Sequence, residues 1–443
     1  FAKFPPRLPD DDTAWDMLDR ITALTADAGL ARYEVSAYAR AAGLDALVLE
    51  AGPRLGGLWR VLPAWQDIQF SPVEWAIDGL PLAGPLQPQI LGNLQAWADR
   101  FGLHDGIRCD SPVSHARHDG RAWVLDTPQG ELRARHLVAA SGGHNTPLIP
   151  PVARRDSRVR EWHAAALHDP ALLADRHLMV VGGGASAFDL IEQGLLHGAR
   201  RIDWVYRGLR WFLPTLRPKA TASVRPFAKM QAQGLSAAEQ SARLGADMVA
   251  RYAKFGLQAI QPGRPMDVRH DQLFPGRPLM IEHFARLQRH PGTVQAIDGG
   301  HVRLSDGSRH EVDVLLWGTG YGTDLRWFDV PAIAAIGSVN ELGRRCGCIF
   351  RSLDAPDLYF PGVGLDGIGA APWAYMLIAR SIVSHIRGTA RLDLQPVGHK
   401  VNHFDIVRHL EPRDPGSYPP GRGWDWYRAI ALETPDDRPY PLL

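Results

Sequence analysis

Two glycines and an alanine near the middle of the chain stand at the spacing Gly182-x-Gly184-x-x-Ala187. The apolar residues 178–181 before them predict a strand buried on both faces, and residues 185–197 have helical periodicity. In such a strand–turn–helix junction the first glycine permits a tight turn, the second lets a pyrophosphate approach the backbone, and the small third residue lets helix and strand pack closely. With the phosphates at the positive end of the helix, this junction is a predicted dinucleotide site, and the alternative is an ordinary glycine-rich turn. The residues assigned to the site are Gly182, Gly184, Ser186 and Ala187.

The strand predicted at residues 201–207 ends in Arg207, where a residue that reads the nucleotide ribose is expected. An acidic side chain at that place accepts a hydrogen bond from the 2′-hydroxyl of NAD, whereas an arginine suits the 2′-phosphate of NADP. Arg207, with Arg210 nearby, therefore favours NADPH. The alternative is that both arginines are solvated surface residues.

The composition is that of an ordinary globular enzyme, since 45% of the 443 residues are hydrophobic and 22% are charged. The formal net charge of +1 gives no reason to expect a nucleic acid or an acidic membrane surface as a partner. The three cysteines, Cys109, Cys346 and Cys348, are too few for a disulfide framework and lack the further ligands of a metal site. Because no segment is signal-like or apolar enough to span a bilayer, we expect a soluble, cytoplasmic protein.

A second nucleotide-binding unit is predicted near the amino terminus. Its pattern is a strand at residues 21–26, a helix at residues 30–42 and a buried strand at residues 44–49. The last strand is followed by Glu50, and an acidic residue at that place holds an adenosine ribose. We therefore predict an α/β fold with two Rossmann-like dinucleotide-binding domains.

Several motifs resemble those of the flavin-containing and Baeyer–Villiger monooxygenases, which are class B flavoprotein monooxygenases. These motifs are Gly56-Gly57-Leu-Trp59 and residues 67–72, 137–143, 312–321 and 359–364. The resemblance extends over most of the chain and implies that FAD binds the two terminal parts while NADPH binds the middle. Outside the central junction, the cofactor-binding residues that it implies are Gly29, Glu50, Gly56, Gly57, Trp59, Gln69, Gly320 and Gly364.

The resemblance also implies a function, an NADPH- and FAD-dependent monooxygenase acting on a small organic substrate and O2. In that family NADPH reduces FAD, and the reduced flavin with O2 gives a C4a-(hydro)peroxyflavin that oxygenates nitrogen, sulfur or, by Baeyer–Villiger chemistry, a carbonyl compound. The cofactors carry such chemistry, while the protein supplies position and excludes water. No catalytic triad order, paired-carboxylate motif or metal-ligand spacing stands out in the sequence. We therefore assign no catalytic residue and predict no metal.

The first glycine motif departs from the family pattern GxGxxG, because the chain reads Asp27-Ala-Gly29-Leu-Ala-Arg32. The Asp27 carboxylate would repel a pyrophosphate by roughly 3 kcal/mol at ~5 Å and an effective dielectric constant of ~20. Arg32 would put a long side chain where the helix lies against the strand, or it could neutralise Asp27 or reach a phosphate. The alternative function is a descendant without FAD that serves as a non-redox enzyme or as the silent subunit of an assembly. The oligomeric state is left open between a homo-oligomer and a complex with a partner subunit.

The order of the motifs predicts one domain inserted into another. A first FAD-type segment is expected at residues 1–165, an NADPH-type domain at 166–315, and a second FAD-type segment with the carboxyl-terminal tail at 316–443. By spacing, the family signature FxGxxxH falls on residues 157–163, where only the final His163 matches. His163 is thus either part of the loop that links the two domains or a plain loop histidine.

Residues 223–262 break the α/β rhythm and predict a helical insertion in the middle domain. The capping box Ser236-x-x-Glu239 marks the start of a helix, and apolar residues follow on one helical face. The insertion could form a wall of the substrate channel, or it could merely pack on the domain.

Overall fold

The structure is a computed structural model of the chain. It describes residues 42–67, 83–100, 102–143, 145–216, 233–271, 273–348, 350–361 and 372–388, together with residues 35, 36, 39, 230, 395 and 396. The strand predicted at 21–26 and the predicted site residues Gly29, Gln69 and Gly364 lie outside this part of the chain.

Twenty strands and seven α-helices are assigned within the described residues. The strands are β1 (Val48–Leu49), β2 (Ile107–Arg108), β3 (His115–His118), β4 (Trp123–Thr127), β5 (Gly130–Ala134), β6 (Leu137–Val138), β7 (Thr146–Pro147), β8 (Ala153–Arg155), β9 (Arg160–His163), β10 (His177–Val181), β11 (Arg201–Tyr206), β12 (Gln288–Pro291), β13 (Val294–Asp298), β14 (His301–Leu304), β15 (Arg309–Glu311), β16 (Val314–Trp317), β17 (Tyr321–Gly322), β18 (Cys346–Gly347), β19 (Arg351–Ser352) and β20 (Leu358–Tyr359). The helices are α1 (Gln87–Arg100), α2 (Ala185–Leu196), α3 (Ala237–Lys254), α4 (Pro278–Glu282), α5 (Pro331–Ala334), α6 (Val339–Arg344) and α7 (Pro372–Ile386). None of the helices in the described ranges has the length and apolarity needed to cross a bilayer.

A five-stranded sheet in the order β12-β11-β10-β16-β9 forms the centre of the described structure. All of its neighbouring strands are parallel. Strands of such a sheet are covered on both faces, which accounts for the continuous apolar runs in β10 and β16. The strand order reverses between β10 and β16, and ligands of parallel α/β sheets bind in the crevice at such a switch point.

The predicted strands of this sheet are confirmed, with small differences at their ends. The run at 178–181 lies within β10, and the strand predicted at 201–207 ends one residue earlier, at Tyr206. Strand β16 begins at Val314, within the motif at residues 312–321. In the first nucleotide unit, β1 is shorter than the predicted 44–49, because its partner β2 pairs with only two of its residues.

Helices α2 and α3 share one core cluster with residues of β10 and β11. Within it, Leu178, Ile191, Trp204 and Met248 are nearly or fully inaccessible to solvent. The capping box that begins α3 is present, since Ser236 Oγ accepts from the Glu239 amide and Glu239 Oε2 accepts from the Ser236 amide. The predicted helix in the insertion is therefore confirmed, and its apolar face packs into this core.

The opposite face of the parallel sheet carries a smaller sheet in the order β15-β14-β13-β8. Strands β13, β14 and β15 form an antiparallel meander with turns after Asp298 and Leu304. Apolar residues of this meander form one buried cluster with Met179, Val205 and Leu315 of the parallel sheet. The parallel sheet is thus packed between helices and a second sheet.

Residues from both predicted FAD-type segments share a third core cluster. The Trp123 indole N–H donates to the Pro356 carbonyl at 3.0 Å, and β6 pairs in parallel with β20. Strand β9, which the prediction placed in the first segment, is an edge strand of the parallel sheet beside β16. The boundaries at 165 and 315 stay a prediction.

Candidate nucleotide-binding site

The turn between β10 and α2 is shaped by the absence of side chains. Gly182 has a φ of +140°, a conformation that residues with a Cβ rarely adopt. A Cβ on Gly182 would lie 2.1 Å from the Gly318 carbonyl oxygen, and one on Gly318 would lie 2.5 Å from Ala187 Cα. There is therefore no space for a side chain where the start of α2 packs against the ends of β10 and β16. This is the packing that the glycine spacing predicts for a dinucleotide turn.

There is open space beside the first residues of α2. Gly184 is the N-cap residue and makes no side-chain cap, and a Cβ built on it would meet no atom within 4 Å. The amide groups of Ala185 and Ser186 begin the helix, where N–H groups lack intrahelical acceptors. Open space beside such amides at a positive helix end suits a phosphate group.

The turn after β11 lies against this junction. A Cβ on Gly183 would lie 2.4 Å from the carbonyl oxygen of Gly208. Arg207 directly precedes Gly208 and is exposed. The structure thus brings Arg207 to the same edge of the sheet as Gly182, Gly184, Ser186 and Ala187.

A buried ion pair connects α2 to the segment that precedes α4. Arg277 Nε donates to Asp189 Oδ1 at 2.8 Å, and the Arg277 side chain is 1% exposed. Its guanidinium also donates to the carbonyl oxygens of Pro275 and, at 3.5 Å, Ala185. The carboxylate of Glu192 accepts from the first backbone amides of α4. Sequence reasoning missed Arg277, and the one available signal was an arginine within the apolar residues 273–281.

Glu50 stands directly after β1 as a buried carboxylate that is 3% exposed. Its backbone continues the pairing of β1, since its amide donates to the Arg108 carbonyl and its carbonyl accepts from the Ser111 amide. Its side-chain Oε1 accepts from the Gly52 amide at 2.9 Å. A carboxylate has about four acceptor positions, so Glu50 could also accept from ribose hydroxyls.

The glycines after Glu50 form a tight turn into a 3-10 helix at Gly57–Arg60. Gly56 has a φ of +125° and Gly57 a φ of +49°. A Cβ on Gly56 would lie 2.3 Å from Leu91 Cδ1 in α1. Trp59 is buried, and its carbonyl oxygen accepts from the Gln87 side chain. The predicted residues Glu50, Gly56, Gly57 and Trp59 thus lie along one continuous segment that leads from β1 into the 3-10 helix.

Gly320 lies where the two chain crossings between the predicted domains meet. Its φ is +79°, and its carbonyl oxygen accepts from the Leu148 amide at 2.9 Å and from His163 Nε2 at 3.0 Å. The imidazole of His163 also packs edge-on against Tyr321. The prediction of His163 as a loop residue was wrong, because it ends β9 as the partner of Trp317 in β16. Burial lowers the pKa of His163, whose Nδ1 accepts from the Ala165 amide.

Comparison with known proteins agrees with this geometry. Residues 34–252 match the pyridine nucleotide-disulphide oxidoreductase family. An uncharacterized monooxygenase of Mycobacterium bovis is 27% identical over 259 residues, which are 53% of this chain and 52% of that protein. A Baeyer–Villiger monooxygenase of Streptomyces coelicolor is 28% identical over 184 residues, 38% of this chain and 34% of that protein. The structure of OTEMO in complex with FAD and NADP superposes with a TM-score of 0.62 at 15% identity, covering 88% of this chain and 90% of that one.

The chain is similar in sequence to monooxygenases and in fold to flavin monooxygenases. The resemblance to the flavin-containing and Baeyer–Villiger group is confirmed, as is the α/β fold class with two Rossmann-type domains. The chain spans about half the length of the mycobacterial relative that it matches.

Proposed function

We propose that the chain is an NADPH- and FAD-dependent monooxygenase that uses O2 to oxygenate a small organic substrate. The observation that carries this proposal is the contact among Gly182, Ala187 and Gly318, with open space over Gly184 at the start of α2. The similarity to OTEMO, solved with FAD and NADP, supports the same pair of cofactors. The acceptor atom is nitrogen, sulfur or the carbonyl carbon of a Baeyer–Villiger substrate.

NADPH would bind at the carboxyl edge of the parallel sheet. The amides of Ala185 and Ser186 would donate to the pyrophosphate over Gly184, which has the room for it. Arg207 would pair with the 2′-phosphate of the ribose, because a guanidinium donates two hydrogen bonds to a phosphate. Arg277 and Asp189 would hold the first turn of α2 in place.

FAD would bind beside the first nucleotide unit. The buried Glu50 would accept from the adenosine ribose, and Gly56, Gly57 and Trp59 would lie beside the isoalloxazine. When bound, the flavin supplies the redox chemistry by taking up a hydride from NADPH and activating O2. The task of the chain's own residues is to orient both cofactors and to exclude water from the space between them.

A flavin-free relative is the second candidate function, and it is favoured by the sequence at the first glycine motif. Asp27 and Arg32 replace two residues of the family pattern there. Such a protein would keep the nucleotide-binding turn between β10 and α2 and act as a non-redox enzyme or as a silent subunit of an assembly.

The visible absorbance of the purified full chain separates the two candidates. We expect a flavin spectrum, FAD in the supernatant after denaturation, and O2-dependent oxidation of NADPH. A colourless protein that takes up no added FAD would contradict the monooxygenase and support the second candidate.

A matched pair of glycine variants tests the nucleotide site itself. Gly184→Ala should keep the unfolding temperature, because its Cβ meets no protein atom, but it should weaken NADPH binding about tenfold or more by filling the phosphate space. Gly263→Ala is the control, since a Cβ there also meets nothing and lies outside the junction. Equal NADPH affinity in both variants, measured by nucleotide fluorescence, would remove the assignment of Gly184.

A further inference from the structure

A cluster of imidazoles surrounds one buried carboxylate between the two packed sheets. Asp203 of β11 is fully buried, and its Oδ2 accepts from His177 Nε2 at 2.9 Å. Arg201 donates to the same carboxylate at 3.0 and 3.3 Å. Two further imidazole nitrogens approach it at longer distances, 3.6 Å from Oδ1 for His290 Nε2 and 3.7 Å from Oδ2 for His310 Nδ1. His177 and Gly182 stand at opposite ends of β10, so this cluster is separate from the nucleotide junction.

A hydrogen-bond chain fixes the orientation of the His310 ring. The Ser308 hydroxyl donates to Asp306 Oδ1 at 2.6 Å and therefore can only accept from His310 Nε2, 2.9 Å away. The Nε2 atom must then carry the proton, which leaves a lone pair on Nδ1 in the neutral ring. That lone pair is on the atom nearest the Asp203 carboxylate. Two electron-rich atoms face each other there, an arrangement that a cation between them would stabilise.

The His290 ring presents its Nε2 to the same space. This nitrogen is buried and has no hydrogen-bond partner among the described residues. The rings of His290 and His310 lie 4.5 Å apart between centroids. The ligand atoms of Asp203, His290 and His310 all lie within 4.8 Å of one another. In a tetrahedral zinc site with bonds of about 2.0–2.1 Å, neighbouring ligand atoms lie roughly 3.3–3.5 Å apart. Here His290 Nε2 lies 3.6 Å from Oδ1 of Asp203 and His310 Nδ1 lies 3.7 Å from Oδ2, so the carboxylate presents a different oxygen to each ring.

We propose that Asp203, His290 and His310 bind a divalent cation of the zinc type. Two imidazoles and one carboxylate form a donor set that suits zinc, whereas calcium and magnesium prefer oxygen ligands alone. The site joins β11 and β12 of the parallel sheet to β15 of the meander, so its role is to fasten the two sheets together. The fourth position is open to water, because the His290 and His310 side chains are 19% and 15% exposed.

Neighbouring groups orient these ligands in the way that metal sites require. A carboxylate has about four acceptor positions, and His177 and Arg201 occupy three of them, which leaves one for a metal. Ser308 orients His310 from behind, as outer partners of metal-bound histidines do.

Arg201 is the one cation that competes for the carboxylate at short range among the described residues. Its side chain is 49% exposed, so its pairing with Asp203 is screened by water and easily rearranged. Arg201→Gln should therefore bind zinc at least as tightly as the parent, while the removal of a ligand should weaken binding more than tenfold.

Calorimetric titration of ZnCl2 into the chelator-treated full chain tests the proposal. We expect one zinc per chain, and a loss of affinity of more than tenfold in His290→Gln and in His310→Gln. His104→Gln is the matched control, because His104 also pairs with an aspartate but is 53% exposed and lies far from the cluster in sequence. It should bind zinc as the parent does.

Thermal unfolding in the presence of ZnCl2 gives a readout that does not depend on enzyme activity. The parent and His104→Gln should unfold at a higher temperature with zinc than without it, and the two cluster variants should show no such shift. Circular dichroism of each variant without zinc establishes that it is folded. Absence of saturable zinc binding in the parent, or binding that persists in both folded cluster variants, would overturn the proposal.

Discussion

Arg207 is the residue on which the nucleotide preference is expected to depend. Arg207 is exposed. It lies beside the turn that contains Gly183, because its neighbour Gly208 contacts that turn directly. A charge-assisted hydrogen bond to a 2′-phosphate contributes about 1.5–3 kcal/mol, which is roughly a tenfold to hundredfold change in affinity. Arg207→Ala should lose that much of its preference for NADPH over NADH, as measured by the dissociation constants of both nucleotides.

The control for Arg207 is an arginine at the other end of the same strand. Arg200 directly precedes β11 and pairs with Asp313 at the surface. Arg200→Ala should keep the parent's nucleotide preference. If Arg207→Ala also kept it, Arg207 would be only a surface charge.

Residues that act through local spacing could be predicted, and those that act across strands could not. The Gly182-x-Gly184-x-x-Ala187 turn was predicted because one strand, one turn and one helix follow each other in sequence. The contact of Gly318 with Ala187 joins the end of β16 to α2, which is distant in sequence, and only the resemblance of residues 312–321 to a family motif indicated a role for that segment. Sequence spacing does not bring Asp203, His290 and His310 together, because they lie on three separate strands.

At the scale of single elements, α2 is held from both sides. Its apolar face packs on β10 and β11, while Asp189 and Glu192 on the same helix bind the segment around Arg277 and α4. An amphipathic pattern predicts the packing of the apolar face on the sheet, but it does not predict the polar contacts of Asp189 and Glu192. The position of the helix start, and with it the predicted phosphate site, depends on both.

The ion pair between Arg277 and Asp189 should be costly to break. Both side chains are largely buried, so Arg277→Met leaves a carboxylate without its guanidinium in a poorly hydrated place. We expect the free energy of unfolding to fall by about 3–5 kcal/mol, as measured by urea denaturation. The double variant Arg277→Met with Asp189→Asn should lose less than the sum of the single changes, since the two residues share one interaction.

An exposed arginine–aspartate pair provides the comparison for that measurement. Arg326 pairs with Asp324 at a side-chain exposure of 83%, so Arg326→Met should change stability little. If the free energy of unfolding fell no further in Arg277→Met than in Arg326→Met, the buried pair would not be what holds α2 in place.

At the scale of the whole molecule, residues near the two predicted crossings between the domains are hydrogen-bonded to one another and to the edge of the parallel sheet. Strand β7 pairs with β17, the Leu148 amide donates to the Gly320 carbonyl, and His163 donates to the same oxygen from the end of β9. The sequence predicted that the chain crosses twice between domains, but not that one histidine links a crossing to the sheet edge. That link needs neutral His163, because its Nδ1 accepts a hydrogen bond.

Acid should weaken this link. Burial holds the pKa of His163 below its usual value, so between the two values the unfolded chain binds a proton that the folded chain does not. The contribution of His163 to stability is complete above about pH 6.5 and is lost as the pH falls through the folded-state pKa. Urea denaturation between about pH 7.5 and 5.5 should therefore show a smaller decline for His163→Gln than for the parent. Burial also lowers the pKa of His136, but His136 is present in both proteins and contributes equally to both declines. Identical declines in stability for the parent and His163→Gln would contradict the role given to His163.

The proposed monooxygenase needs both cofactor sites in one molecule, and the first glycine motif decides whether FAD is retained. Asp27 and Arg32 lie outside the described residues, and their charges set the expected effect on FAD binding. Repulsion between Asp27 and a pyrophosphate, roughly 3 kcal/mol at ~5 Å and a dielectric constant of ~20, is reduced by solvent screening and by a contact of Arg32 with phosphate. We expect Asp27→Gly with Arg32→Gly to bind FAD more tightly than the parent, with coupling between the two changes because both belong to one short motif.

Titration of FAD into the deflavinated parent and double variant, followed by flavin fluorescence, measures this effect. The two single variants complete a double-mutant cycle that measures the coupling between the changes. In Asp27→Gly, Arg32 could take a bound phosphate as its partner. Weaker FAD binding in the double variant than in the parent would reverse the interpretation. Asp27 and Arg32 would then be part of a rebuilt cofactor site, in which the arginine contributes more attraction to the pyrophosphate than the aspartate contributes repulsion.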